Sequence, residues 1–419
     1  MRAALVTLPL VLTLLLAAPA FGTPTWAELR KEITGIERRY PKLVRIHSLG
    51  RSLEGRDIPL IKVSDRVKLD EDEPELLLVA GMHPREQQPV ACLMALLRDL
   101  TSDYARNPKI RALVDSHEVW IVPVLNVDGK VHDFARGTTS KKRRNWRKNR
   151  RLNGDGTRGV DLNRNFPVHW VRTSSKGGGE DFPGTGPASE PETRALMAFI
   201  AARPLRAFAD LHSYMGSLIA PRFLAADDAK RYGLLLSGMA AAQSRPYDFR
   251  KPIAGELPPP VVHRRGGLSF VWAASTQGIT SLNLEVAGKS FYDGAGAIEA
   301  EYRANVRGAL LHLIGASGGL PLRREGSAVF VGASTSRVAA PGAQVEWKPS
   351  VTGSCEYGVL LSESSSLRVL SEIRAAPFST GFTVTIMGRA LPGSRLPLRL
   401  YLWDAKRGRS VVHTSLLVR

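Results

Sequence analysis

The chain has 419 residues, 43% of them hydrophobic, and carries 58 Lys and Arg against 39 Asp and Glu for a formal charge of +19. That length exceeds one core of ordinary size and points to two domains, while a cysteine count of two, Cys92 and Cys355, excludes a disulfide-stapled scaffold. The positive charge draws anionic polymers or acidic peptides at long range, but no nucleic-acid recognition motif accompanies it, so nucleic acid is not the expected partner.

Met1 to Ala20 has a basic start at Arg2, an apolar run from Ala3 to Ala17 and the small residues Ala18-Pro19-Ala20, and reads as a secretory signal peptide. The run is short for a membrane span and no other segment is long and apolar enough. A secreted or periplasmic protein with no membrane span after signal removal is expected. From Thr23 to Gly319 strand and helix patterns alternate, which predicts an α/β/α layered domain around a mixed or mostly parallel sheet.

Leu76 to Ala80 reads as a buried strand ending at Gly81, and Val90 to Leu97 as the helix that follows, with Cys92 on its apolar face. His83 and Glu86 fall on the turn between them, at a strand's C-terminal end, where open α/β sheets place their sites. An imidazole and a carboxylate at this spacing supply two of the three ligands that a catalytic zinc takes while keeping a position open for water. Alone, the tetrapeptide fits a solvated turn equally well.

Pro123 to Gly129 carries turn chemistry in Asn126, Asp128 and Gly129. A basic run from Lys141 to Arg151 reads as a solvated loop rim, and Asn153 to Thr157 as a turn that lacks most ligand positions of a calcium loop. Ala207 to Leu211 is a second short apolar strand, and His212 at its end is the best candidate for a third metal ligand. Ser281 to Leu284 is another, ending at Glu285, a position that also suits a salt-bridged glutamate. An amphipathic run from Ala297 to Leu313 closes the domain. Gly318 to Gly326 is the expected boundary, and the short β-rich runs over 327–419, separated by turn residues, predict a small β-sandwich.

Taken in order, His83-Pro84-Arg85-Glu86, Asn145-Trp146-Arg147, Asp161-Leu162-Asn163-Arg164-Asn165-Phe166, Asp210-Leu211-His212-Ser213-Tyr214 and Leu282-Asn283-Leu284-Glu285 resemble the zinc metallocarboxypeptidases of the carboxypeptidase A/B family. Gly50-Arg51-Ser52 and Glu54-Gly55-Arg56 look like the start of that domain. The resemblance is to a bacterial-type secreted member with a C-terminal β-domain: signal peptide 1–20, catalytic domain 23–319 and accessory domain 327–419. It implies one Zn2+ per chain on His83, Glu86 and His212, Glu285 as general base, Arg147 as oxyanion stabiliser, and Asn163 and Arg164 as the grip on a substrate's terminal carboxylate. It places Arg85, Tyr214 and Arg222 among the substrate-binding residues.

The stretch from Pro258 to Gly267, where many members carry a mobile tyrosine, has none, and His263 is the one candidate substitute. Arg222 is the charged residue at the expected specificity pocket and would favour terminal residues bearing an extra carboxylate, or the diaminopimelate of bacterial wall peptides. The implied activity is hydrolysis of the C-terminal peptide bond of peptides by a zinc-activated water. Alternatives are a cell-wall peptide carboxypeptidase or amidase, a small-molecule N-deacylase, and an inactive relative whose basic surface binds anionic polymers. No long inhibitory pro-segment is expected.

Overall fold

The computed structural model describes residues 24–135, 145–168, 170, 177–221, 223–224, 226–249, 253–254 and 266–321, together with strand segments between Val329 and Leu417. The predicted leader over 1–20, the basic residues Lys141 to Arg144, and Arg222, His263 and Cys355 lie outside the described residues.

Helix α1 (Trp26–Arg39) opens on a capping box, in which Thr25 Oγ1 accepts from Glu28 N at 3.3 Å and Thr25 N donates to Glu28 Oε2 at 2.7 Å. There follow β1 (Val44–Arg51), β2 (Asp57–Val63), β3 (Glu75–Val79), α2 (Gln87–Ser102), α3 (Pro108–Val114), β4 (Glu118–Val122) and α4 (Val127–Ala135). Next come α5 (Pro191–Ala202), β5 (Leu205–Tyr214), β6 (Ser217–Ile219), β7 (Phe223–Leu224), α6 (Ala226–Ala241), β8 (Asp248–Phe249) and β9 (Ile253–Ala254). The domain ends with α7 (Ser269–Gln277), β10 (Thr280–Ala287), α8 (Ala295–Glu301) and α9 (Arg307–Ser317).

Eight of these strands form one sheet in the order β1-β2-β4-β3-β5-β10-β6-β8. Neighbours among β4, β3, β5 and β10 pair parallel, whereas β1–β2, β2–β4 and β10–β6 pair antiparallel, so the sheet is mixed. Every residue of β3 and β4 is buried, which a central strand achieves only with helices over both faces of the sheet. The three-layer reading of the sequence therefore holds for this part of the chain. Between Val329 and Leu417 the described segments are strands paired antiparallel, the longest pair joining Arg395–Asp404 to Gly408–Leu417.

The strands that carry the candidate site run further than their apolar residues. The sequence places His212 and Glu285 just past strand ends, but both lie inside strands, because the parallel ladder between β5 and β10 continues through polar residues. Its register sets Glu285 opposite His212 and Ala287 opposite Tyr214. The predicted turn at Asn126-Val127-Asp128-Gly129 is also different, since it starts α4: Asn126 Oδ1 accepts from Gly129 N at 2.9 Å and caps the helix. Asp128, buried at the same turn, accepts from Ser52 Oγ, Glu54 N and Arg56 Nη1, each at 2.7 Å. The Gly50–Arg56 motif is thereby a brace for the loops under the site. The amphipathic run from Ala297 to Leu313 is a continuous helical segment, with a π turn at Tyr302–Val306 between α8 and α9.

Candidate active site

The turn after β3 is shaped by Gly81. Its φ of +67° suits glycine, and a Cβ there would meet Val124 Cα at 2.9 Å. Leu125 N and Asn126 N donate to the carbonyls of Ala80 and Gly81 at 3.0 Å, which locks the chain across the strand ends. His83 and Glu86 follow, closed into a turn by Glu86 N to His83 O at 3.0 Å.

His83, Glu86 and His212 are 2, 4 and 3% exposed, and their ligand atoms converge. His83 Nδ1 lies 2.8 Å from Glu86 Oε1, His212 Nδ1 2.8 Å from Glu86 Oε2, and the two Nδ1 atoms 3.1 Å from each other. The opposite ring nitrogens face buried carboxylates: His83 Nε2 is 3.0 Å from Asp161 Oδ1 and His212 Nε2 is 2.9 Å from Asp210 Oδ1. Asn163 Nδ2 also lies 3.0 Å from His212 Nε2, and Asp210 Oδ1, though close, accepts no hydrogen bond, so a carboxylate places the ring proton on Nε2 for His83 alone. With the His83 proton on Nε2, its Nδ1 lone pair, His212 Nδ1 and the Glu86 carboxylate converge on one point, an arrangement that suits a cation. Carboxylates behind metal-ligating imidazoles set tautomer and basicity in this way, and the donor set of two imidazoles and one carboxylate suits a catalytic zinc.

The electrostatics agree. Burial disfavours charge on His212, yet Asp210 and Glu86 raise its pKa well above the ordinary value, so this cluster calls for positive charge. Burial likewise opposes ionisation of Asp161, but Arg147 and His83 hold its carboxyl well below the usual range. Another acidic group, Asp70, Glu75 and Glu118, differs because the Arg203 guanidinium already bonds all three.

Arg147 reaches the cluster on the arm of Asp161. Its Nε and Nη2 both lie 2.9 Å from Asp161 Oδ2, which leaves Nη1 3.3 Å from His83 Nδ1 and 3.5 Å from Glu86 Oε1. Glu285, held beside His212 by register, has its pKa raised by burial, partly offset by the two histidines. These groups line a cavity of about 440 Å3 together with Asn163, Arg164 and Tyr214.

Asn163 and Arg164 share one wall. Asn163 Oδ1 accepts from Ser269 N at 3.0 Å, and Arg164 Nη1 donates to the Asn163 carbonyl at 2.7 Å. The loop after 265 closes onto them through Gly267, whose φ is +75° and whose hypothetical Cβ would fall 2.0 Å from the Arg164 carbonyl oxygen. Tyr214, 41% exposed, stands at the mouth with its ring 4.8 Å from that of Phe291. Arg85 does not reach the cavity wall. Its Nη1 contacts both Glu180 oxygens at 3.1 Å and Asn145 Oδ1 at 3.3 Å, and its guanidinium stacks 4.5 Å from Phe291, so it braces the rim.

Motif and spacing assign no roles to Asp161 and Asp210, although each opens one of the motifs. For Asp210 a signal existed: a carboxylate two positions before a ligand on a strand lies on the ligand's own face. If Asp161 orients His83, Asp161→Asn should weaken zinc binding roughly 10- to 100-fold. Competition against a chromogenic chelator measures this, and an unchanged affinity would leave Asp161 as a partner of Arg147 alone.

Comparison with known proteins places the chain. The family described as zinc carboxypeptidase matches residues 29–307. A zinc carboxypeptidase of Saccharothrix mutabilis subsp. capreolus is 42% identical over 146 residues, covering 35% of this chain and 32% of that protein. Carboxypeptidase O of Bos taurus is 32% identical over 199 residues, covering 46% and 51%. The matches thus span about half or less of these relatives' length. Bovine thrombin-activatable fibrinolysis inhibitor, solved in complex with tick carboxypeptidase inhibitor, superposes with a TM-score of 0.59 at 25% identity, over 71% of this chain and 98% of that one. With the fold and the residue order in agreement over this span, the chain belongs to the zinc carboxypeptidase family.

Proposed function

We propose that the protein is a zinc-dependent metallocarboxypeptidase that removes the last residue of peptides with a free C-terminus. The observation that carries this reading is the placement of Glu285 beside His212 in a cavity that Asn163 and Arg164 also line. His83, Glu86 and His212 would hold one zinc, which when bound supplies a Lewis acid for the scissile carbonyl and lowers the pKa of water. The Arg164 guanidinium and the Asn163 amide bind the substrate's terminal carboxylate and so fix which peptide bond sits beside Glu285. Glu285 takes a proton from the attacking water as its oxygen bonds to the carbonyl carbon, then returns it to the departing amine as the C–N bond breaks. Burial, by raising its pKa, makes the carboxylate a better proton acceptor than one in water. Arg147, aimed by Asp161, donates to the oxygen on which negative charge develops.

No helix among the described residues is long and apolar enough to cross a membrane. We infer export from the leader at Met1–Ala20 and a β-sandwich accessory domain over 327–419, both from sequence pattern.

Direction of attack tests this reading. Amidating a substrate's C-terminus leaves Arg164 without its anionic partner, which should lower kcat/KM by at least about tenfold, chiefly through KM. Matched peptides with free and amidated ends measure it. Equal rates would indicate an endopeptidase or a deacylase on this fold.

A further inference from the structure

Among the described residues of the cavity wall, Asn283 is a buried polar side chain that the proposed chemistry does not use. Asn283 lies on β10 two residues before Glu285, so its side chain projects from the same face, roughly 7 Å further along the strand. It is 4% exposed and lines the cavity, in register with Ile219 across the β10–β6 pair and alongside Leu268 and Phe270. Its Oδ1 is buried with no hydrogen-bond partner. A buried acceptor in that condition is unfavourable unless a ligand meets it. We propose that Asn283 reads the side chain of the substrate's last residue, and that the cavity selects a carboxamide there, glutamine in particular.

This assignment rests on the carboxypeptidase reading, since it takes the terminal side chain to point past Glu285 along β10. A carboxamide is the complement of Asn283 whichever way the asparagine amide is turned, because each group offers one acceptor and an NH2 donor to the other. The surrounding Ile219, Leu268 and Phe270 suit the methylene part of glutamine. Charged ends fit less well. The charged side chains of the described wall are the metal ligands, Arg147, Arg164 and Glu285, all engaged in the chemistry, and a buried charge without a partner costs more than a buried amide. Purely apolar ends leave the Asn283 oxygen unmet. Sites built around a buried polar group discriminate strongly against analogues that lack its partner.

The experiment uses the full chain with stoichiometric zinc and N-blocked dipeptides ending in Gln, Met, Glu and Lys. Wild type should show kcat/KM for Gln about 10- to 100-fold above that for Met, its near-isostere, and above those for Glu and Lys. Asn283→Leu should bring the Gln to Met ratio to one or below, and Asn283→Asp should shift preference toward Lys. Wild-type preference for Met or Lys, or a ratio unchanged in Asn283→Leu, overturns the assignment. Preference for Glu does so too and points to a basic side chain such as Arg222. Failure to cleave any of the four would overturn the carboxypeptidase reading itself, a result distinct from cleavage with the wrong preference.

Discussion

Glu285→Gln should lose at least about two orders of magnitude in kcat, the low end of what a positioned general base contributes, while zinc content and substrate affinity stay near wild type. The amide has the shape of the carboxylate and can still accept a hydrogen bond from water, but it cannot take the proton. Affinity should survive because the proposed carboxylate grip is Asn163 and Arg164, not Glu285. Metal content survives because Glu285 lies outside the converging group of His83, Glu86 and His212. A loss confined to kcat is therefore the signature of the base, and a matched rise in KM would mean instead that the variant disturbed the grip. Turnover within about tenfold of wild type would assign proton transfer to some other group.

Much of this site was legible because its residues end short apolar runs. Leu76–Ala80 and Ala207–Leu211 mark the strands beside His83 and His212, the order of the motifs lifts those residues above a solvated turn, and the sheet order that makes β3, β5 and β10 neighbours brings them together. What stayed hidden depends on contacts that no local pattern records. Asp161 acts on His83, 78 positions away, and on Arg147, 14 positions away, and only the folded turn at Leu162–Arg164 sets its two oxygens between them. Arg85 matches a substrate-binding arginine by its place in the metal motif, but no local pattern records that Glu180, 95 residues away, meets its Nη1 at the rim. Asn283 did leave a trace, as a polar residue between leucines in an otherwise buried strand, on the face that Glu285 also uses. Periodicity marks such a residue as misplaced without saying what it faces.

The protein should carry one zinc per chain, and His83→Ala or His212→Ala should each lose it, with activity falling to background. The loss should exceed the roughly 10- to 100-fold expected when an orienting carboxylate is removed, because a missing imidazole takes away one of three donors and leaves a buried carboxylate without its ring partner. For His83 that carboxylate is Asp161, so His83→Ala should also be less stable than Asp161→Asn. Thermal unfolding gives a second readout. Zinc held at a thousandfold excess over its Kd stabilises the folded chain by about 4 kcal/mol, so chelation should lower the wild-type Tm by several degrees and leave the two alanine variants unmoved. Wild-type zinc content in either variant would mean that the metal binds elsewhere, and would leave two Nδ1 atoms 3.1 Å apart with no cation between them.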